Sequence, residues 1–396
     1  MEEMKPESIL AIEGDAKQCG ISKLPQDLKE LIFSKLPLES ICGYRIICKE
    51  WNSILSSFNF LSSLPTQYPW LLICNKEENK NWGYMAYCFS SQKWRTLSLS
   101  FLPNPKGGNT RFLPSIGQGL LHFRDLPTSQ LFVCNPLMRS YVEIDIDVTD
   151  KLMHIVQGGN KEPYLVVFSN SGNFSFQIYQ YFQDSWRIKS QFEGEMRSSN
   201  ILSFEMFECN GVLFLKELSP VRIIIGFKIQ NEGFITPVTV APLPPEMVKD
   251  LDFGYFLSIV SYGSSLLVVS VLLNNPGLDI GELGQTQDGI VIWELFQDEE
   301  NELVWKWKEF LKMPPMSVHE YLGKYWRHQT CACVGDYLCF SSVYGDESVK
   351  VFAYNLKERF WQRLPLRKIK NRNTRTRMVS FEPKPHLYQF LRKSRE

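Results

Sequence analysis

From Pro69 to Phe381 a two-part pattern comes round repeatedly, and few folds accommodate it. The first part is a turn followed by a dense apolar strand: Gly119-Leu120-Leu121-His122-Phe123, Gly211-Val212-Leu213-Phe214-Leu215, Ser265-Leu266-Leu267-Val268-Val269 and Asp336-Tyr337-Leu338-Cys339-Phe340. The second is a strand, a polar turn and an aromatic residue opening another strand. It runs from Met85–Phe89 to Trp94, Leu131–Cys134 to Tyr141, Phe176–Tyr179 to Trp186, Val291–Trp293 to Trp305 and Val351–Tyr354 to Trp361, with Ile223–Phe227 and Phe234 filling the remaining place. That makes six units. The aromatics at 94, 141, 186 and 234 lie 47, 45 and 48 residues apart, within the roughly 40–50 residues of a four-stranded propeller blade. Later gaps are longer, and the excess fits loops at Asn274–Asp288 and Met313–Gln329. Four-stranded units that each expose a face gain most by closing into a ring, which removes the sheet edges, so a six-bladed propeller is expected. A β-sandwich is the competitor, but it has no need of one signature six times. Met378-Val379-Ser380-Phe381 is placed to return and complete the first blade.

Ahead of the repeats, Leu24 to Leu55 has a different period. Leu28, Leu31, Ile32 and Leu36 share one face of a helix that opens near Pro25 and stops at Pro37. Ile47, Trp51, Ile54, Leu55 and Phe58 repeat such a face further on, which predicts two or three short helices. About forty residues of helix rarely form a stable core alone. The surplus of Leu, Ile and Trp therefore reads as half of an interface, to be completed by another protein's helices.

Leu24-Pro25, Leu28, Ile32-Phe33-Ser34, Leu36-Pro37-Leu38-Glu39-Ser40, Arg45 and Cys48-Lys49-Glu50-Trp51 together resemble the F-box. Gly43 departs from that pattern, standing mid-helix where a longer side chain is usual. The later region looks like the kelch-type propeller that follows the F-box in many plant proteins, with Phe132 to Tyr141 resembling a blade turn of that group. The glycine pair of a standard kelch repeat is absent from most units, and Tyr141 and Phe234 replace the usual Trp. The resemblance implies an α+β multidomain chain: a leader over 1–20, a small helical F-box over 21–62, an all-β, six-bladed kelch-type propeller over 66–383 and a tail over 384–396. It further implies docking onto a Skp-type adaptor and through it a cullin scaffold, a protein substrate held on the propeller, and no bond chemistry, cofactor or metal in this subunit. On that reading Leu24, Pro25, Leu28, Ile32, Leu36, Pro37, Cys48 and Trp51 supply adaptor contacts or the packing beneath them; Trp51 suits a core role as well as a hot spot.

For substrate contact the candidates are Tyr321, Tyr325, Trp326, Arg327 and His328, aromatic and basic residues in a long connection of a compact fold. The alternative is an ordinary connector whose aromatics pack on the next blade. The basic run Arg367–Arg377 suits phosphate contact, nuclear targeting or plain solvation, and Asp298–Glu302 reads as a polar turn.

Across 396 residues the net charge is +0, which argues against general nucleic-acid affinity. Ten cysteines lie singly in apolar or mixed runs, so reduced thiols in the cytoplasm or nucleus are expected, and Cys331, Cys333 and Cys339 read as buried strand residues rather than zinc ligands. The acidic N-terminus lacks a secretory pattern, and serines and glycine interrupt Leu257–Leu273, which fits strand, turn and strand better than a membrane span. Phosphate loops, HExxH and GxSxG are absent and the five histidines are dispersed. Two functions remain: substrate receptor of a ubiquitin ligase, or a non-degradative co-regulator working through the propeller face and the basic run, touching nucleic acid only within a partner complex.

Overall fold

The computed structural model describes residues 23–76, 82–102, 116–117, 119–124, 130–144, 151–157, 163–171, 173–182, 185–194, 204–217, 224–229, 235–245, 257–272, 289–313, 331–343, 349–365 and 377–387. The leader, Phe234, the connections 274–288 and 314–329 and the basic residues 367–376 lie outside them. The chain forms two compact units that divide between Pro65 and Thr66.

Among the described residues the first unit holds four helices, one more than the upper expectation: α1 (Gln26–Ser34), α2 (Leu38–Tyr44), α3 (Lys49–Leu55) and α4 (Phe58–Ser63). Proline sets two of the starts. Pro25 and Pro37, at ψ 151° and 141°, are the N-caps of α1 and α2, so Pro37 opens the second helix as well as closing the first. The fourth helix starts at Ser57, whose hydroxyl accepts from Phe60 N at 3.3 Å. Phe33, Leu38, Ile41, Ile54, Leu55, Phe60 and Leu61 are buried. Gly43 is the penultimate residue of α2, not its middle, and the space where a Cβ would stand is open. Gly43→Ala should therefore stabilise this unit by about 0.5–1 kcal/mol, read in the full chain as a roughly two- to fivefold slowing of amide exchange across residues 26–63.

The second unit is built from six four-stranded antiparallel meanders. The first joins β1 (Trp70–Lys76), β2 (Trp82–Cys88) and β3 (Lys93–Leu97) to β24 (Arg377–Phe381), which pairs with β1 from Trp70↔Phe381 to Cys74↔Arg377. The second comprises β4 (Ile116–Gly117), β5 (Leu120–Arg124), β6 (Leu131–Asn135) and β7 (Ser140–Ile144). The third has β8 (Lys151–Gln157), β9 (Pro163–Ser171), β10 (Asn173–Phe182) and β11 (Ser185–Gly194). The fourth runs through β12 (Phe204–Cys209), β13 (Val212–Glu217), β14 (Ile224–Ile229) and β15 (Ile235–Val240), and the fifth through β16 (Leu257–Tyr262), β17 (Ser265–Leu272), β18 (Gly289–Gln297) and β19 (Val304–Met313). The sixth is β20 (Cys331–Val334), β21 (Tyr337–Val343), β22 (Val349–Asn355) and β23 (Phe360–Arg363).

The ring is closed. Each blade's innermost strand touches the next in the order β24, β4, β8, β12, β16, β20 and back to β24. Six apolar clusters fill the gaps between successive blades, so the core lies between sheets rather than within one. The second strands serve two gaps at once. Leu121 packs toward the first blade and Leu120 toward the third; Leu266 and Val268 face the fourth blade, Leu267 and Val269 the sixth. Both faces of such a strand are dry, which is why its sequence is a continuous apolar run without alternation.

Blades four and five are also joined at their rims: β15 pairs with β19 in parallel at Thr239↔Val304 and Val240↔Trp305, merging the two into one eight-stranded sheet. Trp307 Nε1 donates to Ala241 O at 2.9 Å beside this bridge. The Asp298–Glu302 segment is the polar turn between β18 and β19, where Lys228 pairs with Glu302 and Lys306 with Asp298. Leu257–Leu272 is a strand, a turn at Gly263 and a strand.

Strand direction sorts the connections. Turns from first to second and third to fourth strand open at one end of the ring, where the chain enters at Tyr68 and leaves after Phe381. Turns from second to third strand and the links between blades open at the other. All the long connections, 98–115, 241–256, 273–288, 314–330 and 364–376, leave from this second end. After β24, Pro385–Leu387 form a short 3-10 turn, and Leu387 is buried in the cluster between blades two and three.

Candidate functional site

Helix α1 turns its apolar stripe outward. Leu28, Leu31 and Ile32 are 46, 56 and 40 % exposed, while the core receives Phe33 from the same helix. Beside Phe33 lies Lys29, buried, with its ammonium paired to Glu50 of α3. A lysine is tolerated there because the carboxylate compensates its lost hydration, and the pair ties α1 to α3. The usual arrangement, leucines inward and charges outward, is reversed on this face.

The remaining adaptor candidates divide by burial. Pro25, Pro37 and Cys48 are exposed, and Leu24, Leu36 and Trp51 are half-buried. Cys48, extended at φ −155° and ψ 165°, is the N-cap of α3, with Sγ accepting from Trp51 N at 3.4 Å; its contribution is to start a helix, a place more often held by Ser, Thr, Asp or Asn. Trp51 sets its ring edge-on to Phe33, centroids 4.9 Å apart, and 6.0 Å from Tyr44. It supports the face from behind.

Sequence reasoning takes Leu31 and Ile47 only as helix-face residues and leaves Tyr44 and Ile46 unmarked. Ile46 and Ile47 are 92 and 56 % exposed, Tyr44 38 %. The turn that carries the two isoleucines is anchored from inside. Arg45 Nε donates to Ser56 Oγ at 2.8 Å, and Ser56 Oγ donates to Asn52 Oδ1 at 3.1 Å. The signal available in the sequence was an apolar Ile46 directly after Arg45 and beside Ile47, a residue that the helical period from Ile47 onward does not include. Two apolar exposures thus stand on one small unit, the α1 stripe and the α2–α3 turn, and neither is covered by residues of that unit.

In the propeller, the residues 321–328 chosen for substrate contact lie outside the described residues. Cys331, Cys333 and Cys339 are buried on β20 and β21. Burial pushes the thiols of Cys209 and Cys333 up to about 12 and those of Cys134, Cys331 and Cys339 well above the ordinary range. Among the described residues no three His, Cys, Asp or Glu side chains are grouped as metal ligands, and no helix is long and apolar enough to cross a membrane. A thiol titrating near 12 is ionised to about one part in 10⁴ at pH 8, so native alkylation at that pH should mark exposed Cys48 well before Cys209 or Cys333, and denaturant should abolish the difference; peptide mass mapping reads both.

Residues 21–63 match the F-box domain. The chain is 23 % identical over 367 residues to F-box only protein 6 of Arabidopsis thaliana, covering 89 % of this chain and 71 % of that one. It is 22 % identical over 391 residues to F-box only protein 13 of the same plant, covering 88 % and 81 %. An F-box/kelch-repeat protein of Arabidopsis thaliana is 30 % identical over 125 residues, 30 % of this chain and 29 % of that one. Among solved structures, TolB from Acinetobacter baumannii aligns with a TM-score of 0.43 and 9 % identity over 83 % of this chain and 71 % of its own. The β-propeller domain of the trilobed protease from Pyrococcus furiosus gives 0.32 and 9 %, over 78 % and 86 %.

Proposed function

We propose that this chain, an F-box domain followed by a six-bladed β-propeller, is the substrate-recognition subunit of an SCF-type ubiquitin ligase. The observation that carries the reading is the outward apolar stripe of α1, Leu28, Leu31 and Ile32, within the segment that matches the F-box. A stripe of that kind at i, i+3 and i+4 suits a helix-in-groove contact with a partner's helices. On this reading Leu24, Pro25, Leu28, Ile32, Leu36 and Pro37 meet a Skp-type adaptor, Cys48 and Trp51 hold the surface behind them, and the adaptor links the subunit to a cullin scaffold.

The propeller then presents a protein substrate, and the chain itself is a non-catalytic adaptor. Substrate contact belongs to the end of the ring from which the long connections leave. The segment containing Tyr321, Tyr325, Trp326, Arg327 and His328 joins β19 to β20 at that end, as does the basic segment between β23 and β24. The workplace is the cytoplasm, the nucleus or both. Mixing the purified full chain with a purified Skp-type adaptor tests the first step: a one-to-one complex by light scattering after gel filtration is expected, and two separate species at micromolar concentration would defeat the reading.

A further inference from the structure

The first blade is assembled from both ends of the propeller's sequence, and five residue pairs between β1 and β24 hold it together. Two further contacts lie just outside that ladder, and they have the same construction. Ahead of β1, Tyr68 crosses to the sixth blade. Its hydroxyl accepts from Asp336 N at 3.0 Å and donates to Val334 O at 3.4 Å, and its ring lies on Gly335 in the turn between β20 and β21. After β24, Glu382–Lys384 cross to the second blade and lie on Gly119, in the turn before β5. At both seats the glycine has positive φ, 56° at Gly335 and 78° at Gly119, and a methyl group would overlap the chain lying on it. The glycines at the corresponding turns of blades four and five, Gly211 and Gly263, have nothing within 4 Å of the place a Cβ would take. Among the described glycines of these turns, the two bordering the first blade are the ones whose seats are filled.

The C-terminal half of this arrangement goes further. Asn135, fully buried at the end of β6, donates through Nδ2 to Lys384 O at 3.0 Å and Pro385 O at 3.5 Å. Its Oδ1 accepts from Leu137 N and Met138 N, which shapes the β6–β7 turn at the same time. Lys384 O also accepts from Leu387 N at 3.3 Å, closing a turn that delivers Leu387, 1 % exposed, among Leu120, Leu131 and Val133 of blade two and Leu165 and Val167 of blade three. One short segment therefore touches three successive blades.

We propose that Tyr68 and Glu382–Leu387 form a clasp that holds the ring shut in addition to the β1–β24 ladder, and that loss of the Glu382–Leu387 half opens it. Its loss frees β24 to fray and lets the first blade part from the second. The ring then opens at one defined seam, while the rim-joined blades four and five stay intact.

Hydrogen exchange on the full chain tests this against four variants: a chain ending at Leu387, a chain ending at Phe381, Leu387→Asp, and Asn135→Asp, which keeps the Oδ1 acceptor of the turn and loses the Nδ2 donor. The chain ending at Leu387 should match the full chain. The other three should exchange at least tenfold faster in β24 and β1, with β16–β19 within twofold of the full chain. If the chain ending at Phe381 does not fold, the two substitutions carry the test. Unchanged protection of β24 and β1 in both substitutions would overturn the proposal, and so would equal acceleration in all six blades, which marks general destabilisation rather than a seam.

Discussion

Replacing Leu28 and Ile32 together by Asp should reduce affinity for a Skp-type adaptor by about 100-fold or more while leaving the circular dichroism and melting temperature of the chain nearly unchanged. Truncating one central apolar anchor of an interface commonly costs 2 kcal/mol or more, and two charges that must be desolvated add to it. Stability should hardly respond, because both side chains already face water at 46 and 40 % exposure. Phe33→Ala is the contrasting variant. It empties a site 1 % exposed and removes the ring against which Trp51 packs, a loss of about 3–5 kcal/mol that so small a unit cannot absorb, so binding should disappear together with helical signal. Leu36→Ala with Pro37→Ala is less informative, since Leu36 is half-buried and Pro37 caps α2. Calorimetry with the purified adaptor, paired with dichroism of each variant, separates these outcomes; full binding by the Leu28/Ile32 double variant would move the docking surface away from the α1 stripe.

Phe381→Ala is expected to have the largest effect on the propeller. Phe381 is fully buried on the last strand, 6.2 Å from the ring of Trp70 and within the cluster that joins blades one and two through Leu72, Tyr84, Leu121 and Phe132. The cavity should cost about 3–5 kcal/mol, lowering the melting temperature of a unit this size by about 5–10 °C. The substitution also weakens the strand that closes the ring, so the unfolding limb should steepen in rate more than the folding limb slows. Differential scanning calorimetry with stopped-flow unfolding would show both, and a shift under about 2 °C would mean that ring closure does not rest on this side chain.

Much of the architecture was legible because the strongest signals coincide with the driest strands. Second strands such as Leu266–Val269 are buried on both faces, and outer strands open with an aromatic, Trp94, Tyr141, Trp305 or Trp361, so both parts of the repeat point to real elements. The innermost strands left little trace. Ile116–Gly117 is two residues long and Cys331–Val334 four, too short to establish a period of their own. Among them β24 is legible from its position in the chain, β16 from the strand, turn and strand over Leu257–Leu273, and β20 from Cys331 and Cys333 as buried strand residues. The parallel bridge between β15 and β19 had no sequence signal, because it depends on how two blades splay.

In the helical unit the spacing of Leu28, Leu31 and Ile32 marks a shared face of α1, whereas Leu36 lies beyond the helix end, and periodicity alone does not say whether that face looks inward. Buried Lys29, paired to the exposed Glu50, takes the inward place instead, and a charged residue at a core position is invisible to a hydrophobic count. Ile46 escaped because a turn has no period to violate. Cys48 was marked by resemblance, and the structure supplies its physical task as a helix cap.

Ring closure by β24 also sets a timetable. At about 5–20 residues per second, the helical unit has emerged from the ribosome roughly 15–60 s before the strand that completes the first blade. Through that interval β1 has no inner neighbour, and the apolar faces of the first blade await a partner still being translated. A chain that stops short of Phe381 thus has its helical unit complete and its first blade without the full inner strand. Until that strand is added, the open edge of β1 offers unpaired backbone N–H and C=O groups that another extended chain can join.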